Sequence, residues 1–186
     1  MKIRFQAALR LSILMLVLVS LSLSAHAQKR RWRVGYKDAG FTFIPEASIL
    51  VPSNTYPLGF NMNTIFGGQF GQVFAGGGVG LDAYKSEVFV PVFADVRYYF
   101  VREAFSPYAM QEGGYALAMD TSPGLDGGAM INPGIGIRYF LTRTTAVNLG
   151  LGYRYQSLTQ EIEGVDGVYI TKFNIQSLGI RLGLQF

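Results

Sequence analysis

The 186-residue chain contains no cysteine and a single histidine, His26. Without thiols there is no disulfide framework and no thiol nucleophile. Histidine, the usual base beside a catalytic serine, is missing from everything after residue 26. Beyond the N-terminal region no segment offers 18 consecutive apolar residues, so a helical membrane span is not expected. Lysine is scarce, whereas a soluble secreted β-protein carries more lysine and glutamate on its outer face. The glycine run Gly76-Gly77-Gly78-Val79-Gly80 is not followed by Lys-Ser or Lys-Thr, so it does not read as a phosphate loop. It reads as glycine in a strand lining a narrow space.

What is present begins with a targeting segment. Lys2, Arg4 and Arg10 precede the apolar run Leu11 to Leu23, and Ala25-His26-Ala27 supplies a small-residue cleavage site. This is the layout of a secretory signal peptide over residues 1–27. No cysteine follows the site, so a lipoprotein is not expected. Removing the segment leaves 13 basic against 12 acidic residues, and the formal charge of +4 carries no implication of nucleic acid binding. Residues 28–35 read as a periplasmic tail. Its cluster Lys29-Arg30-Arg31-Trp32-Arg33 is either solvated or in contact with anionic lipid headgroups, with Trp32 at the interface.

Glycine (23 residues) and Phe plus Tyr (14 and 11) are abundant, and the apolar residues alternate. In the final strand Leu178, Ile180, Leu182, Leu184 and Phe186 alternate with Gly179, Arg181, Gly183 and Gln185. Successive side chains of a strand point to opposite faces, so each such segment has one apolar and one polar face. The same pattern covers 73–84, 88–100, 129–141 and 147–156. It is weaker over 36–51, 56–69, 106–119 and 168–186. The phase of the last segment changes near Gln176-Ser177, because Phe173 and Ile175 are odd while Leu178 onward is even, and this predicts a β-bulge. The count is eight strands, each long enough for the 9–11 residues of a tilted crossing. Short turns are predicted at Phe70-Gly71-Gln72, Val101 to Phe105 and Thr142 to Thr144. Outer loops are predicted at Pro52 to Tyr56, Lys85 to Glu87, Asp120 to Gly127 and Gln160 to Gly167, two of them with the turn pairs Asp126-Gly127 and Asp166-Gly167.

Gly76 to Tyr84, Pro91 to Phe100, Ser106-Pro107-Tyr108, Gly134 to Phe140 and Leu178 to Phe186, in that order, resemble the small outer-membrane β-barrel family common in Bacteroidota. The resemblance covers about residues 35–186. It implies an all-β fold, an eight-stranded antiparallel up-and-down transmembrane barrel over 36–186, in the outer membrane of a Gram-negative bacterium. It implies no substrate. It also implies that Phe186 is read by the barrel-assembly machinery as an assembly signal.

The polar face consists of Gly, Asn, Gln, Arg and Asp, which suits a cramped interior filled by side chains. Parity then sends Arg97, Arg138, Arg154, Arg181, Asp82 and Asp95 inward, with Glu46 and Glu112 beside them. Unpaired charges there would be costly, so a structural Arg–carboxylate network across the lumen is predicted. Tyr99 should line the lumen, and Tyr98, Tyr139, Tyr153 and Tyr155 the membrane interfaces. No catalytic, cofactor or metal site is expected. Glu161 and Glu163 form a solvated strand end or a weak divalent-cation contact with Asp166. The leading reading is a monomeric, non-enzymatic barrel with a structural or interaction role, partnered by outer-membrane lipids and the assembly machinery and not by nucleic acid. A narrow channel or small-ligand barrel, and a soluble lipocalin-like carrier with its apolar face inside, stand as alternatives.

Overall fold

The computed structural model describes residues 39–53, 57–85, 87–119, 125–164 and 167–186. The expected signal peptide and tail, His26 and Trp32 among them, lie outside these residues, as does Asp166. Eight strands follow one another: β1 Ala39–Pro52, β2 Gly59–Phe70, β3 Val73–Ala83, β4 Val88–Tyr99, β5 Phe105–Ala118, β6 Gly128–Phe140, β7 Ala146–Gly164 and β8 Gly167–Gln185. Every strand pairs antiparallel with its sequence neighbours, and β1 pairs with β8, so the sheet closes. Leu125–Asp126 adds a two-residue ladder against Thr159 and Gln160 of β7. Asp126 therefore joins a ladder and does not form the predicted turn tip.

The hydrogen-bonded register spirals. A path of paired residues from Ile44 through Ile65, Gly78, Phe93, Gly114, Met130 and Gln156 ends at Ile175. The β1–β8 ladder instead sets Glu46 opposite Gly183, far down the same strand. This offset is the stagger that strands must adopt when they tilt to close a small barrel.

One end of the barrel carries both ends of the sheet and the short turns. There Gly71, with φ 57°, supplies the left-handed residue of a two-residue hairpin between Phe70 and Val73. The other end carries the longer connections. These are called the turn end and the loop end.

The apolar face points outward. Leu151, Ile180, Leu182, Ile135, Val92 and Met62 are each about half exposed, and the outward positions of the closed barrel carry no charged residue. Aromatic residues flank this band: Phe41, Phe70, Phe100, Phe105, Tyr139 and Phe186 toward the turn end, and Phe60, Tyr115, Tyr153 and Tyr155 toward the loop end. An apolar belt between two aromatic girdles is the exterior of a membrane-spanning barrel. The lipocalin-like alternative, with the apolar face inside, does not fit this exterior.

Two sequence expectations are corrected. No bulge interrupts β8: its register against β7 runs unbroken from Gly167 to Gln185, and odd positions face inward throughout. What changes at Gln176-Ser177 is the chemistry of the lumen, because Ile175 and Phe173 belong to an interior apolar cluster. The predicted outer loop from Gln160 to Gly167 is instead mostly strand. The β7–β8 ladder continues to Gly164–Gly167, beyond the last β8 residue paired with β1, Ser177.

A charge on the outward face near mid-membrane costs about 2–4 kcal/mol, falling to about 0–1 near the interfaces. Ile180→Arg is therefore expected to destabilise the barrel by roughly that larger amount. Thr144→Arg, in the turn between β6 and β7, should leave the urea midpoint in lipid almost unchanged.

Candidate functional site

Alternation alone decides which side chains meet in the lumen. Inward residues from opposite walls are brought to one level by the tilt, and the narrow bore makes them touch. Arg97, Arg138, Arg154, Arg181, Asp82, Asp95, Glu46 and Glu112 are all buried inside the barrel.

They assemble into two networks. In the first, Arg97 of β4 donates from Nε and Nη2 to Asp95 Oδ2, at 2.9 and 2.6 Å, and from Nη1 to Glu46 Oε1 of β1 at 2.6 Å. The other Glu46 oxygen lies 3.4 Å from Arg181 Nη1 of β8, which also donates to Glu112 Oε1 of β5 at 2.5 Å. Asn132 of β6 donates to Glu112 Oε2 at 2.6 Å. In the second, Arg154 of β7 pairs with Asp82 of β3 at 2.6 Å, and Asn61 of β2 donates to Asp82 Oδ1 at 2.5 Å. Ser48 of β1 closes it by donating to Asn61 Oδ1 at 2.9 Å. Between them the two networks draw a side chain from every strand.

Glu46 is the joint of the first network, since one carboxylate bridges two guanidinium groups from separate strands. Asp95 and Glu112 sit directly opposite each other in the β4–β5 ladder. Like charges in that position repel, and Arg97 and Arg181 bracket the pair to offset it. Small residues make the room. A Cβ at Gly183 would lie 2.6 Å from Glu46 Cγ, and one at Gly136 2.4 Å from the Tyr108 ring.

Arg138 is held in a different manner. Its guanidinium lies 3.4 Å from the centroid of the Tyr99 ring and 4.7 Å from that of Phe140, a cation–π sandwich near the turn end. Tyr99 is fully buried and also donates to Gln185 Oε1 at 3.3 Å.

The predicted polar interior omits a second component. At the loop end Leu50, Tyr84, Phe89, Ala116, Leu158 and Ile175 form a buried apolar cluster, with Ala118 and Phe173 packed against it. A second cluster, including Ile44, Ile65, Phe74, Phe93 and Met110, lies beside the ionic groups on the other side. The signal for both was the inward parity of Leu50, Phe89, Leu158 and Ile175 within otherwise polar faces. Glu161 and Glu163 fall where side chains are not described. Among the described residues no group of three or more metal-ligating side chains comes together.

No protein-family model matches the chain, and no curated protein sequence does. Solved structures do. Neisserial surface protein A superposes with a TM-score of 0.59 at 17% identity, covering 80% of this chain and 98% of that one. OprG from Pseudomonas aeruginosa gives 0.56 at 17% identity, covering 82% and 98%. AlkL, solved by NMR in lipid bilayers, gives 0.55 at 13%, covering 82% and 91%. The fold is that of the small outer-membrane β-barrels. The likeness spans nearly the whole of each of these barrels, so the eight strands form a complete barrel of this kind.

Breaking a buried ion pair from one side leaves an uncompensated charge and costs about 3–5 kcal/mol. Glu46→Ala, which strands two arginines, is expected to lower barrel stability by about that amount. In Arg97→Met/Glu46→Ala much of the loss should return, and a double-mutant cycle by urea unfolding in lipid reads the coupling.

Proposed function

We propose that the protein is an integral barrel of the bacterial outer membrane with a structural or interaction role, closed to solutes and without catalytic activity. The observation that carries this reading is the filled lumen. Ion pairs cross it from every wall, and an apolar cluster covers them at the loop end. Support for the location comes from the apolar belt, the two aromatic girdles and the fold shared with outer-membrane barrels. The motif order shared with the Bacteroidota family supports placing the chain in that group. Against catalysis stands the absence of Cys from the chain and of His from everything after residue 26.

A second reading, a narrow channel, has one observation in its favour. Asn148 and Gln156 are fully buried in the lumen with both side-chain polar atoms lacking a protein partner, the usual setting of enclosed water. Those waters would lie on opposite sides of the ionic layer, which no continuous file crosses in this reading. Steady single-channel currents in planar bilayers would overturn the closed barrel; the expected record is a flat baseline.

The reading also includes a single-copy barrel inserted by the assembly machinery, with Phe186 as the recognised residue. Phe186 and Phe43 exchange backbone hydrogen bonds at 2.9 and 3.2 Å across the β1–β8 seam, and their rings stack at 6.2 Å. Deleting Phe186 is expected to reduce insertion in cells sharply. Wild-type levels of heat-modifiable barrel in that variant would argue against the role.

A further inference from the structure

Every charge after the expected cleavage site can be assigned to one of three places. The lumen takes four arginines and four carboxylates, a balanced set. The loop end takes Glu87, Asp120, Asp126, Glu161, Glu163 and Asp166 against Lys85 and Lys172. The turn end takes Arg102 and Arg143 against Glu103, and the chain enters β1 there directly from Lys29, Arg30, Arg31, Arg33, Lys37 and Asp38. The outward face of the barrel takes none. A chain that is nearly neutral as a whole is thus strongly polarised along its axis, basic at the turn end and acidic at the loop end.

We propose that the turn end is a basic collar that holds anionic phospholipid headgroups of the leaflet it faces. The inference rests on the membrane-spanning reading above. Its position selects a lipid occupant. Arg102 is exposed in the loop between the girdle residues Phe100 and Phe105, and Arg143 is exposed in the turn that follows Tyr139 and Leu141. Both therefore emerge at the headgroup level, where the apolar belt ends, and not far out in the aqueous phase. The tail cluster carries Trp32 among its arginines, a residue enriched at membrane interfaces. A Lys or Arg near an anionic surface is worth about a fivefold gain in partition, lost beyond a Debye length of about 8 Å at physiological salt. The loop end, with its acidic excess, would repel the same lipids, so the collar also gives the barrel a preferred polarity in an asymmetric bilayer.

The test uses the chain beginning at Gln28, refolded into mixed phosphatidylcholine and phosphatidylglycerol bilayers, with insertion checked by heat-modifiable migration. Spin-labelled lipids then report which headgroup the barrel retains. Phosphatidylglycerol is expected to be favoured several-fold, with the preference falling as salt is raised. Arg102→Gln/Arg143→Gln should reduce it, and adding K29Q, R30Q, R31Q and R33Q should abolish it. Lys85→Gln/Lys172→Gln, at the loop end, should leave it unchanged. An inserted wild-type barrel without preference overturns the collar while leaving the membrane reading intact; failure to insert overturns both. Binding of the same basic residues to insoluble peptidoglycan, without lipid preference, would assign the collar to a carboxylate polymer and overturn the proposal.

Discussion

Glu46, bridging Arg97 and Arg181 inside a bore of eight strands, is the contact on which the interior depends. Closing the sheet satisfies every ladder without leaving an edge, as a lipid environment requires. Closure at this size also leaves an interior only wide enough for side chains. Charges placed there lose their hydration and need partners at once. Such buried networks are often no more stabilising than well-packed apolar residues. Their value here lies in specification. A strand with two apolar faces could sit either way round, and a one-residue slip would exchange its faces. Arginine or carboxylate on the inward face of seven strands, with Asn61 and Asn63 on β2, makes the wrong facing prohibitively costly in lipid.

The apolar clusters complete this arrangement. The cluster built on Leu50, Phe89, Leu158 and Ile175 covers the ionic layer at the loop end, and the sandwich of Arg138 between Tyr99 and Phe140 closes the turn end. Excluding bulk water lowers the local dielectric and strengthens each ion pair. The same exclusion raises the cost of losing any one partner. The lumen is therefore cooperative, and tolerance to substitution should be greatest at its ends.

Much of this was legible in the sequence because a period of two survives without knowledge of pairing. Strands β3, β4, β6 and the barrel portion of β7 carry clean alternation, and parity alone sent Arg97, Arg138, Arg154 and Arg181 to one side. Partner choice was not legible, because Arg97 meets Glu46 only through a stagger that no single strand encodes. The bulge expected near Ser177 arose from taking apolar to mean outward. Ile175 and Phe173 face the lumen, so a change in interior chemistry imitated a change of phase. The β7–β8 extension was missed for a related reason: Gln160 to Gly164 is polar enough to read as loop, yet the ladder continues through it.

Proline placement explains where the ladders fail. The β3–β4 pairing skips the positions around Pro91, and the β6–β7 pairing those around Pro133. At the seam, Phe43 and Phe186 exchange both backbone bonds. Two residues on, the antiparallel pattern calls for the same exchange between position 45 and Leu184, and Pro45 has no N–H to give. The continuous β1–β8 ladder accordingly begins only at Glu46. The Phe43–Phe186 pair is thus separated from the rest of its seam by a gap, and it alone clamps the turn end of the closure. Its rings continue into Phe66 through a contact of 5.0 Å from Phe43, which ties the last residue of the chain to the second strand as well as the first. The terminal aromatic residue therefore has a mechanical part in closing the barrel that is independent of whatever recognises it during assembly.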